Sequence, residues 1–219
     1  MIKKNIKFSI AIDGSSASGK TTGSKIISKK FKFKLLSSGK LYRYLAFKII
    51  QNKKKYNQKY IQNESKKITL PKLKNKKLNS LQVTKLSSII AKKKNIRNEL
   101  KKFQMNFIKK NKKVIIEGRD IASKIMPRAD LKIFFKCSLK EKAKRRLKEY
   151  KKVNKNVKLN EVKKSLKLRD FSDKNRKESP LLFVKGAVLV DTTKLTIKQM
   201  KVQLINLVKR ELIRKYGNI

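Results

Sequence analysis

The chain has 219 residues, 39% of them hydrophobic, which is enough to bury a core of its own in one or two domains. No apolar run approaches the roughly 18 residues of a membrane span, residues 1–5 begin no signal-peptide core, and the single cysteine, Cys137, excludes an internal disulfide framework, so a reducing, cytoplasmic setting is expected. The net charge of +49 points toward polyanions, yet the basic residues run the whole length without a tail, glycine–arginine repeats or interleaved aromatics; drift of composition toward lysine and asparagine accounts for it, and no dedicated nucleic-acid or membrane partner is expected.

Taken in order, Phe8-Ser9-Ile10-Ala11-Ile12-Asp13 reads as a buried strand, and Gly14-Ser15-Ser16-Ala17-Ser18-Gly19-Lys20-Thr21 follows it directly. That stretch fits the G-x-x-x-x-G-K-[ST] pattern of a phosphate-binding loop, with a strand before it and a helix after it. Small residues between the glycines let the backbone curl so that several N–H groups face one anion, and the helix adds the positive end of its dipole. Lys20 can then reach the terminal phosphates, and the Thr21 hydroxyl can ligate a magnesium ion bridging them. Residues 14–21, with Thr22, are therefore expected to bind a nucleoside triphosphate.

Residues 20–30 read as a helix and Phe31-Lys32-Phe33-Lys34-Leu35-Leu36 as a short alternating strand. Ser37-Ser38-Gly39 then turns into a helix over 40–51, with either serine able to cap it. Two strands joined by a helix form a βαβ unit, and hence a parallel sheet. Over 52–79 the pattern weakens to an insert with one extended hint, Ile68-Thr69-Leu70-Pro71. Helical spacing resumes over 81–92 and 96–110. Val114-Ile115-Ile116-Glu117 is a buried strand running into Gly118-Arg119-Asp120, and ligands of open α/β sheets sit beyond such strand ends. A strand over 131–137 (with Cys137 read as packing), helices over 139–151 and 157–173, a strand over 187–191 and a helix over 196–215 complete the chain.

Ten of the 63 basic residues are arginine. On a solvated face lysine supplies charge equally well, whereas only arginine offers a planar fork for phosphate or a base edge. In a lysine-saturated chain, Arg43, Arg97, Arg119, Arg169 and Arg176 are therefore candidates for geometry rather than charge. Arg169, Asp173 and Arg176 would share one stripe if the helix runs on that far, which a solvated salt-bridged face would also produce.

The loop, Ser38-Gly39 with Tyr42-Arg43, Glu117-Gly118-Arg119-Asp120, and Arg169-Asp170 with Asp173 and Asn175-Arg176, in that order, resemble the bacterial cytidylate kinases. The resemblance runs from about Phe8 to the C-terminal helix and includes Ser179-Pro180-Leu181 and Val190-Asp191-Thr192-Thr193. It implies a three-layer α/β fold of the P-loop type, with a parallel central sheet flanked by helices, a short insert over about 52–80 and a helical lid over about 157–180, all in one kinase domain. It implies transfer of the ATP γ-phosphate to CMP or dCMP, with Mg2+ as cofactor, by a monomer. Ser38, Arg43, Ser88, Arg97, Arg119, Asp120, Arg169, Asp173 and Arg176 would hold the acceptor. Lys20, Arg119, Arg169 and Arg176 would stabilise the transferring group, and Glu117 would reach the metal through water. The chain departs from the family pattern at Ser15, Ser37, Asn79, Ala122 and Ser172, where proline, aspartate, arginine, glycine and arginine are usual. The competing readings are a small P-loop kinase with UMP, AMP or a metabolite as acceptor, and a basic nucleic-acid-binding protein with a regulatory ATP site.

Overall fold

The structure is a computed structural model that describes residues 6–52, 56–151 and 157–217. Residues 1–5, and 53–55 of the expected insert, lie outside the described residues. The chain divides into two compact units, residues 1–35 with 112–219, and residues 36–111.

The first unit is built on parallel strands β1 (Phe8–Gly14), β3 (Lys113–Gly118), β4 (Leu131–Lys136) and β5 (Ala187–Asp191), with β2 (Lys34–Ser37) crossing the boundary between the units. The sheet order is β2-β3-β1-β4-β5, and the pairs β1–β3, β1–β4 and β4–β5 are all parallel. Sequence-distant strands thus flank β1 on both sides, and its end meets Gly118 of β3 and Phe135 of β4 in register. Phe8, Ile10, Ile12, Ile115, Ile133 and Phe135 are buried against α1 (Lys20–Phe31) and α8 (Ile197–Tyr216), whose Ile27, Leu204 and Val208 belong to the same core. Gly23 lets α1 approach this closely, because a Cβ there would stand 2.6 Å from the Phe135 ring and 2.9 Å from Leu204. Helix α6 (Leu139–Lys151) and helix α7 (Leu159–Asn175) pack on each other through Ala143, Val162 and Leu166.

The second unit is helical: α2 (Ser38–Asn52), α3 (Gln58–Lys66), α4 (Leu81–Ile90) and α5 (Lys94–Lys109), with short 3-10 turns at Lys72–Lys74 and Lys76–Asn79. Its core is formed by residues such as Leu41, Leu45, Ile61, Leu78, Ile90, Ile96 and Leu100.

Three sequence expectations need correction. Phe31 closes α1 instead of opening a strand: Lys32 takes a left-handed conformation (φ 56°), and the strand starts at Lys34. The alternating Phe31 and Phe33 pack edge-to-face on each other, and Phe33 likewise on Phe8, so the alternation records aromatic packing at a helix end. The turn expected at 37–39 is the first turn of α2 itself, which begins at Ser38. The extended hint at 68–71 leads into the 3-10 turns, and Ile68 is buried as a packing residue. Among the described residues no helix is long and apolar enough to cross a membrane.

Candidate phosphate-binding site

The phosphate loop leaves β1 where no side chain could follow: a Cβ on Gly14 would fall 2.5 Å from the Phe135 carbonyl oxygen. Ala17 (φ 59°) and Gly19 (φ 88°) take left-handed backbone, with Gly19 immediately before α1. Such left-handed turns between a strand and a helix N-terminus make anion-binding concavities, and an alanine in that region carries local strain. Lys20 curls back so that its Nζ donates to the Ser15 carbonyl at 2.9 Å. Burial pushes its ammonium well below the usual 10.5, Arg119 and Arg169 push the same way, and Glu117 and Asp173 oppose them. An anion arriving beside a lysine so placed would favour its charged form. The Ser18 carbonyl accepts from Thr192 Oγ1 at 2.9 Å, and Thr192 is held in turn by Arg145, which reaches its Oγ1 at 3.0 Å and its carbonyl at 2.7 Å. Thr22 is exposed on the first turn of α1.

Thr21 Oγ1 donates to Glu117 Oε1 at 3.0 Å, while Glu117 Oε2 is buried without a hydrogen-bond partner. A buried carboxylate oxygen left over beside a hydroxyl fits an oxygen-seeking divalent cation or its water. Among the described residues no group of three or more acidic or thiol side chains gathers to hold an ion alone, so phosphate oxygens would complete its shell.

Arg119 is the hub of the unit's charged cluster. Its Nε donates to Asp173 Oδ2 at 2.8 Å and its NH2 to Ser16 Oγ at 2.9 Å, so one fork spans the loop and α7. Arg176, just past the end of α7, reaches Asp173 Oδ1 at 3.5 Å and lies 4.0 Å from Asp120 Oδ1. Burial raises the Asp173 carboxyl, but Arg119, Arg169 and Arg176 outweigh it and hold the group below the ordinary 3.8. The helix stops at Asn175, so Arg176 meets Asp173 from the extended residue after it, and with side chains only 6% and 14% exposed the pair is not a solvated salt-bridged face.

In the helical unit, Ser38 and Arg97 are buried, Arg97 NH1 donates to the Ala91 carbonyl at 2.9 Å, and its guanidinium lies 5.5 Å from the Tyr42 ring centre. Arg43 NH1 donates to Asn79 Oδ1 at 2.7 Å, which gives the asparagine at that position a partner. Ser88 spends its hydroxyl on the Thr84 carbonyl of its own helix at 3.1 Å.

Several contributors were not singled out by the sequence. Asp13, buried at the end of β1, accepts from the Ile121 and Ala122 amides at 3.0 and 2.7 Å, holding the π-helical turn Ile121–Ile125 that follows Arg119-Asp120. Lys142 of α6 bonds Asp170 of α7 and the Ser15 hydroxyl, and Asp170 accepts from the Ser16 amide at 3.4 Å. Gln104 of α5 donates to Ser38 Oγ at 2.8 Å. Asp13 stands beside the loop in sequence and could have been noticed; Lys142 is one more lysine in a lysine-rich helix, and Gln104 carries no local signal.

A glycine-rich cradle between the central strand of a parallel sheet and its helix, with a buried lysine and a hydroxyl–carboxylate pair, defines a P-loop nucleotide-binding protein. The family model described as Cytidylate kinase matches residues 10–210, and the chain belongs to that family. It is 36% identical to a cytidylate kinase of Fusobacterium nucleatum subsp. nucleatum, covering 87% of this chain and 92% of that protein. It is likewise 36% identical to a cytidylate kinase of Rickettsia africae, covering 94% and 93%. Among solved structures, an uncharacterized protein from Eubacterium ventriosum aligns over 92% of this chain and 98% of its own, with 16% identity and a TM-score of 0.53. TT1252 from Thermus thermophilus aligns over 94% and 98%, at 15% identity and a TM-score of 0.52. Both support the fold alone.

Proposed function

We propose that the protein phosphorylates CMP and dCMP with ATP, giving CDP or dCDP and ADP, as a magnesium-dependent monomer in the cytoplasm. Membership of the cytidylate kinase family supports the reaction class. The observation that carries the reading is the Arg119 fork, which joins Ser16 of the donor loop to Asp173 of α7.

The acceptor nucleophile is a phosphate oxygen, already anionic, so the reaction needs no general base; it needs alignment, charge neutralisation and exclusion of water. Residues 14–22 cradle the ATP phosphates, and Lys20 follows the γ-phosphoryl as a P–O bond to ADP breaks and one to CMP forms. Arg119, Arg169 and Arg176 neutralise the acceptor phosphate and the charge that develops between donor and acceptor. Ser38 and Arg43 hold the acceptor phosphate, while Ser88, Arg97 and Asp120 read the base, where a wrong edge leaves buried polar groups unpaired. Asp173 orients the arginines, and closure of residues 157–180 excludes water. Thr21 and Glu117 would hold Mg2+, directly and through water, which supplies charge neutralisation between the β- and γ-phosphates.

The test is turnover of ATP and magnesium against a panel of CMP, dCMP, UMP, AMP and GMP. CMP and dCMP are expected to be the best acceptors by at least about tenfold in kcat/KM, a difference within reach of a hydrogen-bonding base site. UMP or AMP turning over as fast as CMP would refute the assignment. Nanomolar nucleic-acid binding that survives physiological salt, without kinase turnover, would favour the regulatory-site reading instead.

A further inference from the structure

We infer that Gln104 is a positioning residue for the acceptor: by donating to Ser38 Oγ it fixes the serine hydroxyl as a hydrogen-bond donor toward the incoming monophosphate. The inference deepens the proposed function and rests on its reading that Ser38 meets the acceptor.

The argument is one of proton direction. A serine hydroxyl has one proton to give and can accept through its oxygen. An anion takes only donors, so a serine that serves a phosphate must keep its own proton free. Ser38 and Gln104 are both buried, 3% and 2% exposed, and sit on separate helices of the same unit. Gln104 presents its amide nitrogen, and Nε2 donates to Ser38 Oγ at 2.8 Å. The serine oxygen is thereby engaged as an acceptor, and its proton cannot point back at Gln104. Ser38 is also the first residue of α2, a 15-residue helix whose opening amides lack intrahelical partners. Space is available there, since a Cβ on Gly39 would meet nothing within 4 Å. An aliphatic side chain at 104 would leave the hydroxyl free to rotate, and a carboxylate would capture its proton.

Gln104→Glu is the informative change, because it keeps shape and reverses the direction of the hydrogen bond. Gln104→Met keeps volume and removes the donor, and it decides the matter if the glutamate variant does not fold. Steady-state kinetics with each substrate varied are measured on the wild type, both variants, Ser38→Ala, and each Gln104 variant combined with Ser38→Ala. Loss of a hydrogen bond to a charged ligand predicts a rise of about tenfold in KM for CMP in Ser38→Ala and in Gln104→Glu, and about threefold in Gln104→Met. KM for ATP stays within about twofold in all of them, a split that general loss of packing would not produce. In the Ser38→Ala background the Gln104 changes add nothing further, because their effect runs through the serine. A rise in KM for CMP that persists in that background overturns the inference in favour of plain charge repulsion. Equal effects on both substrates overturn it in favour of packing. If Ser38→Ala raises KM for CMP and neither Gln104 variant does, Gln104 alone is excluded. If Ser38→Ala is silent, the acceptor role of Ser38 fails, and this inference falls with it.

Discussion

Asp13 lets stability report on the floor of the site. Its carboxylate lies at the end of β1, 2% exposed, and accepts the Ile121 and Ala122 amides. Burial pushes its pKa up from 3.8 to about 6; the two amide bonds and Arg119 oppose the rise, and Asp120 adds to it. The folded state therefore holds this proton more tightly than the unfolded chain does. For a carboxyl raised in this way the contribution to stability is greatest at low pH and is lost as pH rises toward the folded value. A group that titrates near 3.8 unfolded and near 6 folded stabilises the protein by about 3 kcal/mol when protonated in both states, and about 2 kcal/mol of that disappears between pH 4.5 and 7.5. A carboxamide in its place would not titrate. In Asp13→Asn one amide keeps an acceptor and the other meets an NH2 group, at a cost of about 1–3 kcal/mol that does not vary with pH.

Denaturant unfolding of wild type and Asp13→Asn across pH 4.5 to 7.5 checks this, with the free-energy difference taken at each pH so that all other titrations cancel. The variant is expected to be the weaker protein at pH 4.5 and to gain on the wild type by about 2 kcal/mol by pH 7.5. A difference that is flat with pH, or that widens against the variant as pH rises, would refute the reasoning. It would mean that the two amides and Arg119 stabilise the ionised form by more than burial penalises it.

Four further outcomes are expected. Lys20→Ala should cost at least about a hundredfold in kcat with the thermal unfolding midpoint preserved, since the loop geometry depends on Gly14 and Gly19 and the lysine supplies charge to the transferring group; normal turnover would remove the loop from the mechanism. Arg119→Lys keeps the charge but cannot span Asp173 and Ser16 with one fork, so kcat/KM for CMP should fall about a hundredfold and more steeply than that for ATP, as substrate-varied kinetics would show. Asp170→Ala strands the Lys142 ammonium, 8% exposed, and should destabilise by about 3 kcal/mol in urea, whereas Arg214→Ala, at a pair whose arginine is 74% exposed, should cost under about 0.5 kcal/mol. Gly23→Ala drives a methyl into Phe135 and Leu204 and should cost about 1–3 kcal/mol, measured the same way.

What the sequence made legible follows from how much of each feature is local. The phosphate loop is contiguous, and its glycines are required, Gly14 by a carbonyl oxygen one strand away and Gly19 by its left-handed backbone, so the motif and its geometry agree at both. The strand at Lys113–Gly118 announces itself because both its faces are covered in a parallel sheet and Val114-Ile115-Ile116 is continuously apolar; Ala187–Asp191 shows the same apolar run although, as the edge strand, it buries Val190 and leaves Leu189 exposed. Helix α3 was hidden for the opposite reason: of Gln58–Lys66 it buries Ile61 together with Glu64 and Ser65, and polar residues on the inner face erase the apolar period. Phe31-Lys32-Phe33 misled because aromatic packing around a left-handed residue imitates strand alternation.

The charge composition, which obscures most of the surface, sharpened the interior. Arg119 and Arg176 each bond two or more partners through separate nitrogens, and Arg97 combines a carbonyl with a tyrosine face; one lysine ammonium cannot match either arrangement. A composition that drifts toward lysine replaces arginine in most places where charge alone is wanted, so the buried arginines that persist mark fixed geometry, whereas Arg210 and Arg214, 68% and 74% exposed, are exceptions to the rule. The converse failure is equally physical. Lys142 occupies a buried pair that ties α6 and α7 to Ser15 and Ser16, yet it is one of the many lysines the drift supplies, and only its burial sets it apart. In such a chain a lysine is legible only inside a motif, as Lys20 is, or through its burial, as Lys142 is.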